Sequence, residues 1–240
     1  MLRRKFLKFA AAIFAAIAGI LAFKSGFRLD RLEEERMKIE AKEVIKLPEP
    51  RKTGRVSVEE AINSRRSRRS YKNEPISLNE ISQLCWAAQG ITEPIYKFRA
   101  APSAGALYPL EIFLVVGNSE IEAGIYHYSP STHSLRLVKE GDYREDLCEA
   151  SLGQSAVEEG ALSIVITAIY ERTMKKYGER GIRYVHLEAG HVAQNVYLQA
   201  EALGLGTVSI GAFYDDKVRD VLSLPEEHVP LYVMPVGRRY

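Results

Sequence analysis

Seven consecutive residues, Ser64-Arg65-Arg66-Ser67-Arg68-Arg69-Ser70, place four guanidiniums and three hydroxyls at the end of a predicted helix. Arginine presents a planar fork of donors that matches phosphate oxygens, and serine adds a hydroxyl donor. The same residues would also make an ordinary solvated turn. A second run, Ala101-Pro102-Ser103-Ala104-Gly105-Ala106-Leu107-Tyr108-Pro109, leads into a strand. Its small residues let a flat ligand approach the backbone, whose N–H groups can then bond the polar edge of a ring. A third, Ile210-Gly211-Ala212-Phe213, follows Gly204-Leu205-Gly206 and offers close approach at a strand end. A cation pair, Arg238-Arg239, stands near the C-terminus.

Other chemistries lack their residues. No GxGxxG follows a strand, so a dinucleotide-binding crossover is unsupported, and GxxxxGK[ST], HExxH and GxSxG are all missing. His186-Leu187-Glu188 has the H-x-E spacing of zinc deaminases without the PCxxC that must follow. His186 and His191 fall about 140° apart around a helix and are poorly placed to share a metal, so no metal site is assigned. Cys85 and Cys148 have no CxxC or metal-ligand spacing and read either as a disulfide or as two buried thiols on helices.

The elements that must position these residues can be outlined from pattern. Ser57-Val58-Glu59-Glu60 and Ser77-Leu78-Asn79-Glu80 are S-x-x-E capping boxes that open helices over about 57–65 and 78–89. Strands are expected at Glu111–Gly117, Gly124–Tyr128, Leu135–Lys139 and Leu162–Tyr170, with an amphipathic helix over Asp142–Ser151. Val185, Ala189, Val192, Ala193, Val196, Ala200 and Leu203 recur at helical spacing, predicting a long helix over about 183–203 stopped by Gly204. A short strand at Val208–Gly211, a helix at Asp215–Leu222 and a strand at Val229–Val236 complete the pattern. Together these describe an α+β fold, helices packed on a largely antiparallel sheet.

The N-terminus carries a different signal. Residues 1–26 hold five basic residues, no acid and an uncharged run from Phe9 to Phe23. Arg3-Arg4-Lys5-Phe6-Leu7-Lys8 resembles the twin-arginine export motif. A hydrophobic helix at residues 1–26 is therefore expected to act as a signal or membrane anchor, placing the body on the extracytoplasmic face. Residues 27–53 read as a charged, helix-prone linker closed by Leu47-Pro48-Glu49-Pro50, with the body at 54–240. The overall charge of +2 is a property of the leader: the remainder has 28 basic against 31 acidic residues. A net acidic body excludes non-specific nucleic-acid binding.

The stretches RRSRRSY (65–71), PSAGALYPLEIFLVV (102–116), RYVHLEAGHVAQNVYLQAEALGLGTVSIGAF (183–213) and PLYVMPVGR (230–238) together resemble the nitroreductase superfamily, specifically its SagB-type dehydrogenase branch. The resemblance implies an FMN-binding homodimer, with the flavin at the subunit interface and the helix over 183–203 packed across it. It implies that Arg65, Arg66, Ser67 and Arg69 grip the phosphate and ribityl chain with Arg238 assisting. Pro102, Ser103, Ala104 and Gly105 would lie against the isoalloxazine, and Ile210, Gly211 and Ala212 would face its reactive edge. The implied activity is an oxidoreductase acting on a small organic or peptide substrate, with NAD(P)H as one source of electrons.

Two departures stand out. Where better-known nitroreductases have PSxxNxQP, this chain has Ala106 and Tyr108 at the Asn and Gln positions, so backbone groups would replace side-chain bonds to the ring. Peptide-azoline-oxidising members are expected to carry Leu-Lys-Tyr on the long helix, a place that reads here as Leu187-Glu188-Ala189 without the Lys/Tyr pair. Tyr108, Tyr177, Glu188 and His191 are the remaining acid–base candidates, and no catalytic residue is assigned. A flavin-binding or electron-relay protein without turnover, and a tethered module without cofactor, are the alternatives.

Overall fold

The computed structural model describes residues 43–240, and within that range the chain builds a seven-stranded antiparallel sheet with helices on both faces. The strands are β1 (Val44–Lys46), β4 (Leu110–Val116), β5 (Gly124–Ser129), β6 (Ser134–Glu140), β7 (Leu162–Ala168), β8 (Leu205–Thr207) and β9 (Val229–Arg238), in spatial order β1-β6-β5-β4-β7-β9-β8. A separate hairpin pairs β2 (Ile91–Glu93) with β3 (Phe98–Arg99). The helices are α1 (Val58–Ser64), α2 (Leu78–Gln89), α3 (Arg144–Ala150), α4 (Ser155–Glu159), α5 (Glu171–Tyr177), α6 (Arg180–Leu203) and α7 (Asp215–Val221).

Strand alternation divides the core in two. Ile112, Leu114 and Val116 of β4 point to one face, where they meet Ile81, Leu84 and Cys85 of α2 and Val185, Val192 and Val196 of α6. Phe113 and Val115 point to the other and meet Leu147 and Cys148 of α3, Val157 of α4 and Val218 of α7. The two cysteines are buried free thiols on opposite sides of the sheet.

Local chemistry sets the helix ends. Both capping boxes form: Ser57 Oγ accepts from Glu60 N at 3.1 Å while Glu60 Oε2 accepts from Ser57 N at 2.8 Å, and Ser77 and Glu80 repeat the exchange. The long helix α6 carries its apolar face onto the sheet and stops at Gly204, whose φ of 73° is left-handed, a conformation that glycine adopts without a side-chain clash.

Several expectations shift. The expected boundary at residue 53/54 falls inside the packed body. Val44–Lys46 pairs with Arg136–Ser134 of β6, and Leu47, only 2% exposed, belongs to the core. The strand expected at Val208–Gly211 is displaced toward Leu205–Thr207, where the chain pairs with Arg238–Val236, and Ile210 keeps only an isolated bridge to Val233. The helices α4 and α5 and the β2–β3 hairpin were not anticipated. The hydrophobic helix and export motif at residues 1–26, and the linker up to residue 42, lie outside the described residues. Among the described residues no helix is long and apolar enough to cross a membrane.

Candidate functional site

The helix α6 connects two clusters, and Tyr197 organises the first. Its hydroxyl lies 3.0 Å from Ser67 Oγ, accepts from Ser209 N at 2.8 Å and lies 3.4 Å from Ser209 Oγ. The Arg65 guanidinium stands 5.0 Å above its ring. Burial pushes this phenol up, but the bonds to Ser209 and Ser67 and the nearby Arg65 outweigh it and hold the group below its ordinary range. One tyrosine thus ties the Arg/Ser run to the segment after β8. The backbone repeats the link: Ser67 bridges Thr207 in parallel, and Arg68 N donates to Thr207 O at 2.9 Å.

The predicted phosphate-binding residues fare differently within this cluster. Arg65 and Ser67 converge on Tyr197. Arg66 is exposed and donates to the carbonyls of Asn63 and Arg65, and Arg69 is exposed at the same end. Arg68, by contrast, pairs with the buried Glu201 at 3.5 Å, as does Arg239 at 2.6 Å. Arg238, expected to assist at the phosphate, presents its fork to Glu80 at 2.6 and 2.9 Å. That pair joins the end of β9 to the first turn of α2. Gly211 and Ala212 are exposed and Ile210 is buried beside β9.

The second cluster surrounds residues 102–108. Gly105, Ala106 and Tyr108 have φ of 65°, 54° and 46°, so three residues of four are left-handed and two of them carry a Cβ. Such a backbone is costly and must be held by its surroundings. Ser103 Oγ accepts from Tyr108 N at 2.9 Å, the Arg99 guanidinium lies 4.4 Å over the Tyr108 ring, and Arg172 Nη1 donates to Tyr108 O at 3.0 Å. Arg172 also donates to Glu111 at 2.6 Å, and the other Glu111 oxygen lies 2.7 Å from His127 Nε2. Burial alone would raise the Glu111 carboxyl, but Arg172, followed by His127 and Arg99, holds it well below the usual carboxylate range. A partly buried ionic network therefore braces the loop.

Two further side chains stand against this loop. A Cβ built on Gly105 would come within 2.8 Å of both Lys176 Nζ and Tyr177 Oη. Lys176 and Tyr177, at the end of α5, thus stand beside this loop. Arg172 and this pair share α5, so the network that braces the loop also positions the pair. Sequence pattern found Tyr177 but missed Lys176 and Tyr197, because α5 was not anticipated and the partners of Tyr197 lie 130 and 12 residues away.

Glu188, on α6, is 2% exposed, and its Oε1 has no hydrogen-bond partner. His186 and His191 are exposed on α6, with His186 Nε2 2.5 Å from Tyr170 Oη.

On α6, Glu188 and Tyr197 are nine residues apart, about 14 Å along the axis at 1.5 Å per residue. A polar, cation-bearing end and a loop of small residues are thus set apart along one rigid element. Nine residues are also two and a half turns, so the two lie on opposite sides of α6, flanking the face that it packs on the sheet.

Comparison with known proteins identifies a family. The sequence profile of the Nitroreductase family matches residues 62–238. The nitroreductase-type protein MJ1384 of Methanocaldococcus jannaschii is 46% identical over 188 residues, covering 77% of this chain and 92% of its own. The microcin B17-processing protein McbC of Escherichia coli is 30% identical over 68% of this chain, which spans 62% of McbC. A solved nitroreductase-type structure from Ralstonia eutropha superposes with a TM-score of 0.73 at 28% identity, over 83% of this chain and 91% of its own.

Proposed function

This chain belongs to the nitroreductase family, in its SagB-type branch, and on that premise we propose that it is an FMN-dependent oxidoreductase acting on a small organic or peptide substrate. The observation that carries this reading is the pairing, along one helix, of the Arg65–Ser67–Tyr197 cluster with the left-handed loop at 102–108 capped by Lys176 and Tyr177. Bound FMN would supply reversible hydride transfer at ring N5.

The protein's own groups do the rest. Arg65, Arg66, Ser67 and Arg69 hold the phosphate and ribityl chain. Pro102, Ser103, Ala104 and Gly105 form the surface under the ring, and the N–H groups of a loop braced by Arg172 and Glu111 face its polar edge. Gly211 and Ala212 leave room at the reactive edge. Lys176 and Tyr177 are the acid–base pair, placed to hold or pass a proton beside that loop. Arg238, engaged with Glu80, supports the phosphate end from behind rather than touching it.

The exposed apolar side chains Val58 and Ile62 of α1 and Leu187 of α6 support a homodimer, with the flavin where the two subunits meet. A nicotinamide donor, an N-terminal membrane anchor and an extracytoplasmic site complete the proposal. The presence of the Lys/Tyr pair favours turnover over a binding-only role.

The test is direct. The full chain purified with flavin supplied is expected to be yellow and to release FMN on denaturation, and a colourless protein without FMN overturns the reading. Arg65→Ala with Arg69→Ala removes two charge-assisted donors and should weaken FMN binding by about a hundredfold or more, since bonds to charged groups contribute roughly 1.5–3 kcal/mol each. Titration of flavin fluorescence measures it, and parental affinity would remove the phosphate assignment. Tyr177→Phe should leave FMN bound while lowering the rate of flavin turnover by about 10²-fold or more, the usual scale of a lost acid or base. Stopped-flow reduction and reoxidation would show it, and unchanged rates would remove Tyr177 from the chemistry.

A further inference from the structure

Tyr197 has no place in the roles above, yet it touches both residues that converge at the candidate phosphate end. It lies on α6, only 7% exposed, behind Ser67, which is open to solvent. Their side-chain oxygens are 3.0 Å apart. The direction of that bond follows from a third group. Ser209 N donates to Tyr197 Oη at 2.8 Å, and a backbone N–H can only donate. The phenol oxygen is therefore an acceptor on that side, and its single O–H is left for one of two serine oxygens. Ser67 Oγ at 3.0 Å is nearer than Ser209 Oγ at 3.4 Å. With the phenol proton on Ser67 Oγ, the Ser67 hydroxyl accepts from behind and keeps its own proton to donate outward. A backbone amide, a phenol and a serine hydroxyl thus form a chain of donors with one sense, and each bond polarises the next.

The backbone leaves Ser67 little else to adjust. Ser67 bridges Thr207, and Arg68 N donates to Thr207 O at 2.9 Å. The main chain is held against β8, so the remaining freedom is the hydroxyl rotor, which Tyr197 sets. The ring of the same tyrosine carries the Arg65 guanidinium at 5.0 Å. One side chain therefore orders a cation through its face and a hydroxyl donor through its oxygen. An outward donor beside a cation suits an acceptor-rich anion.

We propose that Tyr197 is a positioning residue that aims the Ser67 O–H outward beside Arg65, and so makes the site prefer a flavin ending in a phosphate over the same flavin without one. The inference rests on the reading of Arg65 and Ser67 as phosphate ligands, and names what fixes their selectivity.

The experiment uses the full chain stripped of flavin. Affinities for FMN and for riboflavin, which shares the ring and ribityl chain but ends in a hydroxyl, are measured by flavin fluorescence. The proteins are the parent, Ser67→Ala, Tyr197→Phe and the double variant. Tyr197→Phe keeps the ring under Arg65 and removes only the oxygen. The parent should prefer FMN. Ser67→Ala should weaken FMN binding by about tenfold, the scale of one hydrogen bond to a charged group, and leave riboflavin binding unchanged. Tyr197→Phe should weaken FMN binding by about three- to tenfold, again with riboflavin unchanged. The double variant should lose no more than Ser67→Ala alone, because both residues act through one donor. Nuclear magnetic resonance reads the chain from its far end. The Ser209 amide proton of the parent should shift further with FMN than with riboflavin, and Ser67→Ala should abolish that difference.

Unchanged FMN affinity in Tyr197→Phe overturns the proposal, as do losses that add in the double variant. Equal losses for FMN and riboflavin would mark a merely structural tyrosine and overturn it as well. A parent that binds both flavins equally overturns it while leaving the flavin reading intact. Should Tyr197→Phe fail to fold, the Ser209 amide shifts in the parent and in Ser67→Ala decide. If the parent binds neither flavin, the flavin reading itself falls and the proposal with it, so the two failures are told apart.

Discussion

Two carboxylates, the buried Glu188 and the partly buried Glu111, respond to pH in opposite senses. Glu111 is held below its ordinary range by Arg172 and His127, so its contribution to stability is present above the unfolded value near 4.5 and is lost as pH falls. Glu188 is raised to about 7, chiefly by burial, so what it contributes is complete below 4.5 and is lost as pH rises through 7. Moving a carboxyl over that interval corresponds to about 3 kcal/mol once the group is ionised. Glu188→Gln should therefore gain on the parent by up to about 3 kcal/mol between pH 4.5 and a pH above 7, a change that urea midpoints at the two pH values would reveal. An equal difference at both would mean that Glu188 is already ionised in the acid range. The comparison isolates one group, because Glu111 is common to both proteins and its titration cancels.

At the scale of elements, β1 tests where the body begins. It pairs with β6 at the sheet edge and delivers Leu47 into the core between α2 and the sheet. Burying a leucine side chain contributes roughly 1.5–3 kcal/mol, before any gain from the edge pairing. A chain starting at residue 54 should melt several degrees below one starting at residue 43, as read by circular dichroism, and equal melting temperatures would make β1 dispensable. The same strand shows why some elements were legible and others not. The helices α2 and α6 were readable because caps and long apolar periods are local properties, recorded in consecutive residues. The strand β1 was not, because Val44-Ile45-Lys46 follows a charged, helix-prone run and becomes a strand only by pairing with residues about ninety positions later. The helix α5 was hidden in the same way: it spans two turns and is fixed by Arg172 reaching back to Glu111 on β4. With it went the Lys176–Tyr177 pair, although the residues that form the loop below were found from their small size alone.

At the scale of the whole molecule, some large apolar side chains are left exposed. Val58 and Ile62, one turn apart on α1, are 63% and 57% exposed, and Leu187 on α6 is 53% exposed. Isolated exposed apolar residues are ordinary, but these lie on the two helices joined by the Arg65–Tyr197 contact at the candidate phosphate end. If the subunits meet here, the interface and the cofactor site share their supports. Ile62→Glu with Leu187→Glu would place carboxylates where water is excluded, at a cost of several kcal/mol unless each finds a partner. The substituted positions face outward, so the monomer fold should persist, with circular dichroism unchanged. Sedimentation is expected to show a dimer for the parent and a monomer for the variant. FMN should leave in step with dissociation, since a slot built by two subunits cannot hold its ligand with one. A variant that stays dimeric with flavin bound would move the interface elsewhere, whereas a monomer that keeps its flavin would show each subunit to be sufficient for binding.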